Sequence, residues 1–348
     1  GSSNAEAALV NLTMVDGVAS GYITADKCSA LVAGPQKKSN GNHGVAAAVA
    51  NLAVVPLDTN GSFCVYNQVA VNLVADVQGF FSAPIPQTFP GQVLVSETPD
   101  RKLDTRKAPL TKPAAGSITK VMTGVPAGAT AALVNLTMVD GDGAGYITAD
   151  RCSVLTAGPQ TKSNGNHIAN DAIANLSVVP VDADGSFCIY NQLSVNLVVD
   201  LQGYFITSDP NGLRFTLIAP ARAIDTRLAP LTKPAAGTIT KVMTGAPLGT
   251  TSALVNMTMV DGDGGGYITA DKCSNLVAGP QSKSSGNFVA NDAIANLAVV
   301  PLDADGSFCI FNQIGVNLVV DVQGYFGPTG ADVFYASGQG RYIDTRRP

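Results

Sequence analysis

The residues of this 348-residue chain that are best suited to chemistry are its six cysteines. They form three pairs whose members lie 36 residues apart: Cys28 and Cys64, Cys152 and Cys188, Cys273 and Cys309. A structural zinc site needs cysteines two to four residues apart with histidines nearby, and the chain has only two histidines. The spacing therefore predicts three disulfides in an oxidising compartment, with three pairs of reduced, buried thiols as the alternative.

An Asp-Thr-Arg triplet occurs three times, each with a further arginine three residues before the aspartate. The three sets are Arg101, Asp104 and Arg106; Arg222, Asp225 and Arg227; and Arg341, Asp344 and Arg346. A carboxylate between two guanidinium groups can bind an anionic substrate. The same arrangement can also fix the register of a strand, because arginine satisfies a carboxylate with two parallel hydrogen bonds. We predict the structural role and call each set an Asp/Arg lock.

Aspartates in glycine-rich turns are the candidates for metal binding, and they are Asp142, Asp184, Asp263 and Asp305. Alternating carboxylates can ligate Ca²⁺, but neither turn has the full calcium-loop pattern. Turn chemistry alone also explains Asp and Gly at such positions. Calcium is the weaker interpretation, and we expect no other cofactor.

The remaining residues argue against catalysis. His43 and His167 occupy equivalent positions, where the third copy has Phe288. A group that phenylalanine can replace is a poor general base or metal ligand. The sequence contains no G-x-S-x-G, H-E-x-x-H or P-loop motif. We therefore expect that the protein is not an enzyme.

Internal repetition determines the predicted domain organisation. The string "AALVNLTMVDG" at Ala7 recurs at Ala131, and again as "SALVNMTMVDG" at Ser252. Each copy continues with "GYITAD", a cysteine and "ANL", and closes with "QGFF" or "QGYF". The pattern predicts a first module at 1–82 that lacks its opening strands, complete modules at 88–206 and 213–326, and the opening strand of a further module at 331–348.

The local sequence predicts an all-β fold. The chain has 36 glycines and 20 prolines, and its β-branched runs are separated by turn signals. Eight or nine strands in a unit of about 120 residues predict tandem β-sandwich-like modules with one intra-module disulfide each. A β-trefoil-like arrangement is the alternative, because the two hairpins of each unit resemble each other.

Charge and hydropathy exclude two kinds of partner. The net charge is −5 and the chain has no basic run, which argues against a surface that follows nucleic-acid phosphates. No apolar stretch approaches the roughly 18 residues that a membrane-spanning helix requires.

The ordered motifs R-x-[LI]-D-T-R, "NLT", "GYIT", "ANL" and "VVDVQGYF" resemble the tandem repeats of large secreted and cell-surface bacterial proteins. The resemblance covers essentially the whole chain, and it implies an extracellular or cell-surface, non-catalytic module. The resemblance identifies no catalytic residues in this chain. The "SNLN" usual in those repeats is "SNGN" at Ser39 and Ser163 and "SSGN" at Ser284.

Two functions follow from these observations. The first is a structural repeat protein that builds a filament, sheath or surface layer as a head-to-tail homopolymer. In it, the C-terminal strand completes the first module of the next subunit, as in donor-strand complementation. The residues of this assembly tail are Tyr342, Ile343, Asp344 and Arg346. Complementation would be partial, because the tail does not supply the strand at Ile118–Gly124. The alternative is that the chain is a fragment of a longer repeat protein, in which the fourth unit continues.

The second function is a carbohydrate-binding or adhesion module of a larger cell-surface protein. It would bind surface glycans through the polar loop at 33–42, 157–166 and 278–287, in which the candidate residues are Asn42, Asn166 and Asn287. Three weak sites would bind with avidity. Five other asparagines match the glycosylation acceptor pattern, and a structural role is expected for all of them. Asn60 lies in a turn and has no counterpart in the other repeats, whereas four lie in predicted strands: Asn11, Asn135, Asn175 and Asn256.

Overall fold

The computed structural model of the chain describes residues 5–45, 47–84 and 90–346. All regular elements in these ranges are β-strands, which confirms the predicted all-β class. In the part of the chain that the structure describes, no helix is long and apolar enough to cross a membrane. The module boundary predicted at residue 88 and both chain ends, Gly1 and Pro348, lie outside the described residues.

The strands follow the sequence repeats. The first repeat contains β1 (Ala7–Val15), β2 (Gly21–Asp26), β3 (Gly41–His43), β4 (Ala48–Pro56), β5 (Cys64–Asn67) and β6 (Asn72–Ser82). The second contains β7 (Val93–Asp104), β8 (Ile118–Met122), β9 (Ala129–Val139), β10 (Gly145–Asp150), β11 (Gly165–His167), β12 (Ala172–Pro180), β13 (Ser186–Asn191) and β14 (Asn196–Ile206).

The third repeat contains β15 (Arg214–Asp225), β16 (Ile239–Met243), β17 (Ser252–Val260), β18 (Gly266–Asp271), β19 (Gly286–Phe288), β20 (Ala293–Pro301), β21 (Ser307–Asn312) and β22 (Asn317–Gly327). The last strand is β23 (Val333–Asp344).

The strands form six small sheets in a propeller-like arrangement, two for each repeat. The second repeat has the orders β7-β14-β9-β12 and β8-β13-β10-β11, and the third has β15-β22-β17-β20 and β16-β21-β18-β19. The first repeat has β23-β6-β1-β4 and a three-stranded sheet, β3-β2-β5. Independent tandem sandwich modules are not confirmed, because the three repeats share a core.

The C-terminal strand completes the first repeat of its own chain. β23 pairs antiparallel with β6, so that Phe334 lies opposite Phe81 and Arg341 lies opposite Asp76. The donor-strand hypothesis assigned this position to the tail of a neighbouring chain. The strand is satisfied within one chain because only residues 328–332 separate β23 from β22, and β22 ends and β23 begins beside the shared core.

The shared core is formed by apolar side chains from all three repeats. At its centre the ring of Phe81 lies 4.3 Å from that of Phe215 and 5.3 Å from that of Phe334. The ring of Phe205 lies 4.5 Å from that of Phe334. Because β23 contributes Phe334, the last strand of the chain is part of the common core.

Buried asparagines connect the repeats around this core. The Asn51 amide donates to Oδ1 of Asn256 at 3.0 Å, and Oδ1 of Asn51 accepts from the backbone N–H of Leu297 at 3.2 Å. Equivalent bonds occur at the other two contacts between repeats. Four of the five asparagines of the glycosylation pattern belong to this network and are at most 1% exposed: Asn11, Asn135, Asn175 and Asn256. They therefore satisfy polar groups in the interior.

Candidate functional site

Three equivalent clefts lie between the repeats. In each cleft, the polar loop of one repeat faces the Asp/Arg lock of a neighbouring repeat. Cleft 1–2 holds the loop of the second repeat against Arg341 and Arg346. Cleft 2–3 holds the loop of the third repeat against the lock of the second, and cleft 3–1 holds the loop of the first against the lock of the third.

The clefts are small. Their volumes are about 120, 190 and 210 Å³ for clefts 1–2, 2–3 and 3–1, respectively. Pockets for drug-sized molecules have volumes of about 300–1,000 Å³. Each cleft therefore has room for one polar group or ring edge of a larger ligand.

The polar loop is held in place by its own repeat. The Tyr22 hydroxyl accepts from the backbone N–H of Gln36 at 2.8 Å and donates to the Gln36 carbonyl at 3.1 Å. The Gln36 side chain donates to the Gly34 carbonyl at 2.6 Å. The same contacts recur in the other two repeats. This wall of the cleft is therefore formed before any ligand arrives.

The three disulfides that the spacing predicts are present. Each joins the residues that precede the polar loop to the second strand of the following hairpin. In the second repeat, Cys152 and Cys188 pack with Leu155 and Tyr190 below the loop. The disulfides therefore support the loop wall, and they indicate an oxidising environment.

All three candidate glycan residues lie in the clefts: Asn166 in cleft 1–2, Asn287 in cleft 2–3 and Asn42 in cleft 3–1. Oδ1 of Asn42 accepts from the Ser39 hydroxyl at 3.0 Å, with the same pairing in the other repeats. The amide NH₂ group of Asn42 and the second lone pair of its Oδ1 can therefore still bind a ligand.

The lock forms the opposite wall, and it contains one more carboxylate than the sequence indicated. Arg101 donates to Oδ1 of Asp200 at 2.5 Å and to Oδ2 of Asp104 at 3.0 Å. Arg106 binds both oxygens of Asp104 at 2.8 Å. Asp200 belongs to the "VVDLQGYF" strand, and its recurrence in all three repeats was the signal that could have identified it.

The lock also holds neighbouring repeats together. Arg101 donates to the carbonyl of Ser282 in the third repeat at 2.8 Å, and Arg222 donates to that of Lys37 in the first at 2.9 Å. Both acceptors belong to polar loops. The same guanidinium group therefore fixes a strand and the loop of the next repeat across the cleft.

The charges of the lock balance. The hydrogen bonds from Arg106 lower the pKa of Asp104, whereas burial raises the pKa of Asp200. In cleft 2–3, two arginines face two carboxylates, and Lys283 lies 3.8 Å from Asp271. A neutral polar ligand therefore fits the cleft better than a highly charged one.

A buried threonine with an unpartnered hydroxyl lines each cleft. Thr13, Thr137 and Thr258 lie in β1, β9 and β17, and they are 3, 3 and 4% exposed. Within the described residues, their Oγ1 atoms have no hydrogen-bond partner. An unpaired buried hydroxyl is destabilising, and all three repeats carry one at the equivalent position. The sequence did not reveal these residues because "NLT" and "NMT" are typical of an apolar strand.

The calcium candidates lie away from the clefts, and each pairs with a lysine. Asp184 binds Lys120 at 2.9 Å and Asp305 binds Lys241 at 2.8 Å, while Asp142 pairs with Lys112 and Asp263 with Lys233. In the described ranges, no three His, Cys, Asp or Glu side chains are grouped so as to hold a metal ion. The structure therefore does not bring these aspartates together as a calcium site.

The tail residues have different environments. Tyr342 is 68% exposed, whereas Ile343 packs against the core of the first repeat. Asp344 binds Arg346 at 2.8 Å and lies 3.4 Å from Arg341, as in the other two locks. The tail therefore forms the lock wall of cleft 1–2.

Comparisons with known proteins found no matching family model, curated protein or solved structure.

Proposed function

We propose that this protein is an extracellular, non-catalytic carbohydrate-binding protein, with one glycan-binding subsite in each of its three clefts. The observation that carries the proposal is the unpartnered hydroxyl of Thr13, Thr137 and Thr258, repeated in three clefts that also contain the loop asparagines. Three similar polar subsites on one chain suit a ligand that repeats, such as a glycan surface.

The chemistry of the lining supports a hydroxyl-rich ligand. The Thr137 hydroxyl can donate and accept, the Asn287 amide can donate, and Arg106 retains Nη1 after binding Asp104 through Nε and Nη2. Sugar hydroxyls match this mixture of donors and acceptors. Because the lock is electrically balanced, binding should depend only weakly on salt.

Three subsites allow weak individual contacts to produce useful affinity. When one chain engages two points on the same glycan surface, the second contact is intramolecular, and avidity can exceed the single-site affinity by about 10²–10⁴. We also infer that each repeat, with its two sheets and one disulfide, acts as a sandwich-like unit that presents one loop. The disulfides support the extracellular location.

The proposal is tested by glycan-array binding of the intact protein and of a triple variant, Thr13→Val, Thr137→Val and Thr258→Val. Valine has nearly the same shape, so the variant removes three hydroxyls and leaves the clefts in place. Thr59→Val, at an exposed turn, is the matched control. We expect the triple variant alone to lose at least tenfold in affinity. Equal binding by all three proteins, or no glycan binding by any, would contradict the proposal.

Head-to-tail assembly is the second candidate, and the pairing of β23 with β6 is the observation that favours it. A second copy of the chain offers the same β6 edge, so β23 can pair with β6 of another chain if the connection at residues 328–332 opens. Electron microscopy and light scattering test this candidate. It predicts filaments that disappear when residues 331–348 are deleted, and a concentration-independent monomer would contradict it.

A further inference from the structure

One surface of each cleft is apolar, in contrast to the polar loop and the lock. In cleft 2–3 this surface consists of Val139, Ala172 and Val198 beside Thr137, and we call these four residues the cleft floor. Ala172 lies opposite Val139, and Val198 lies opposite Thr137, in the pairing of β12, β9 and β14. Directly opposite residues, and residues two apart on one strand, point to the same face of a sheet. The three aliphatic side chains therefore lie around the unpartnered hydroxyl of Thr137 on one surface.

The same floor recurs in the other two clefts. Its members are Thr13, Val15, Ala48 and Val74 in cleft 1–2, and Thr258, Val260, Ala293 and Val319 in cleft 3–1. In every floor the threonine and the last valine are at most 4% exposed, and the other two residues are half-buried. Each floor therefore combines a surface of methyl groups with a single hydroxyl that can donate and accept.

The arginines beside the floor already have anionic partners. Arg101 donates four hydrogen bonds: two to Asp200, one to Asp104 and one to the Ser282 carbonyl. Arg106 binds Asp104 through Nε and Nη2. A carboxylate or sulfate ligand would have to compete with these two aspartates for the same guanidinium groups. The cleft is therefore poorly suited to an anionic group.

A cationic group is disfavoured for a different reason. The lining of cleft 2–3 includes Arg101, Arg106 and Lys283, whereas Asp104 is 6% and Asp200 only 1% exposed. The positive groups therefore face a ligand, and the carboxylates lie behind them. The other two clefts are likewise lined by two arginines and at least one lysine. A protonated amine in any cleft would meet several like charges.

We propose that each cleft binds the acetamido group of an N-acetylated amino sugar. The acetyl methyl group packs on the valines and the alanine of the floor, and the threonine hydroxyl accepts from the amide N–H. The loop asparagine, Asn287 in cleft 2–3, donates from its NH₂ group to the acetyl carbonyl. An acetamido group is uncharged and compact, which suits a cleft of about 120 Å³. This inference rests on the proposed glycan-binding function and specifies its ligand.

The floor discriminates between sugars that differ at one carbon atom. A hydroxyl group in place of the acetamido group would lie on aliphatic side chains, and burial of a polar group without a partner is unfavourable. A free amino group would bring a positive charge to the arginines and the lysine. Acetylation of the amine removes this charge, adds a methyl group for the floor and supplies a carbonyl for the asparagine.

Three trisaccharides that differ only in this substituent test the inference on the intact protein. They are the β-1,4-linked trimers of N-acetylglucosamine, of glucosamine and of glucose, and titration calorimetry at about pH 6 measures their affinities. We expect the acetylated trimer to bind about tenfold or more tightly than the glucose trimer, because only its methyl group suits the floor. The glucosamine trimer should bind most weakly.

A floor variant tests the contact with the methyl group. It replaces one half-buried valine of each cleft: Val15→Thr, Val139→Thr and Val260→Thr. Threonine has nearly the shape of valine, and urea unfolding checks that the fold is retained. The variant should bind the acetylated trimer about threefold or more weakly, which is the effect of one methyl group lost from an apolar contact. The affinity for the glucose trimer should not fall.

The matched control is the double variant Val32→Thr and Val277→Thr. Both valines are 70% exposed in the polar loops, and the second repeat has Thr156 at the same position. We expect the control to bind like the unmodified protein. Equal affinity of the floor variant and the control for the acetylated trimer would overturn the inference.

The outcomes separate this inference from the function on which it rests. Equal binding of the acetylated and glucose trimers, or no binding of any trimer, overturns the acetamido assignment. In either case, binding of other sugars on the glycan array would leave the proposed glycan-binding function standing. Absence of binding to every glycan on the array would overturn both.

Discussion

Arg341 and Asp76, which are 265 residues apart in the chain, form a doubly hydrogen-bonded ion pair. Nε of Arg341 lies 2.8 Å from Oδ1 of Asp76, and Nη2 lies 2.9 Å from Oδ2. The Asp76 carboxylate is 3% exposed. The pair repeats the contact of Arg101 with Asp200 inside the second repeat. The end of the chain is therefore bound to the first repeat as an opening strand is bound to its own repeat.

Asp76→Asn should destabilise the protein by about 3 kcal/mol, because it removes the closer of the two buried carboxylates that balance the Arg341 guanidinium. Urea unfolding measures the decrease in the free energy of unfolding. Asp321→Asn, which removes the equivalent carboxylate in the third repeat, should cause a similar decrease. The midpoint for the unmodified protein should not change with protein concentration. A midpoint that rises with concentration would show instead that β23 binds another chain.

Reduction should open the Cys28–Cys64 disulfide before the other two. Cys64 is an exposed residue of β5, whereas Cys188 and Cys309 are only 6 and 5% exposed. Thiol–disulfide exchange depends on access to the sulfur atoms. Brief treatment with dithiothreitol, followed by alkylation and mass spectrometry, should label Cys28 and Cys64 first. Equal labelling of all six cysteines would contradict this order of reduction.

Asp332→Asn should stabilise the protein at neutral pH. Burial, with a contribution from Glu6, raises the pKa of Asp332 to about 6 from a usual value of 3.8. The folded state therefore holds the proton more tightly, and this group makes folding less favourable as the pH rises from about 4 to about 6. The variant should match the unmodified protein at pH 4 and exceed its stability by on the order of 2 kcal/mol at pH 7. A constant difference across this range would contradict the assignment.

Local features of the fold followed from the sequence. The equal cysteine spacing predicted the disulfides, and β-branched runs between turn signals predicted an all-β chain. Both are local properties that each repeat carries separately. The shared aromatic core was not predicted, because Phe81, Phe215 and Phe334 come from different repeats and no local pattern specifies which repeats meet.

The clefts could be predicted only in part, because they also depend on contacts between repeats. The polar loop and the lock were both identified as candidates, but their position opposite each other depends on contacts between repeats, such as Arg101 with Ser282. The sequence pattern also could not predict whether β23 pairs with β6 of its own chain or of another chain. An opening strand has the same sequence whether it pairs within its chain or with a neighbour, and only the geometry of the shared core distinguishes the two.

The triple threonine variant should fold at least as stably as the unmodified protein. Thr13, Thr137 and Thr258 have buried hydroxyls without partners, so valine removes three unfavourable groups and no hydrogen bond. Urea unfolding should show an unchanged or higher midpoint. A loss of stability would indicate that these hydroxyls support the fold and are not reserved for a ligand.

Titration calorimetry of the intact protein with a glycan fragment selected by array binding tests the central claim most directly. The account predicts three equivalent sites per chain and at least a tenfold loss of affinity in the triple threonine variant, with no loss in Thr59→Val. A single site, or an affinity that is unchanged when the three hydroxyls are removed, would contradict the assignment of the clefts as glycan subsites.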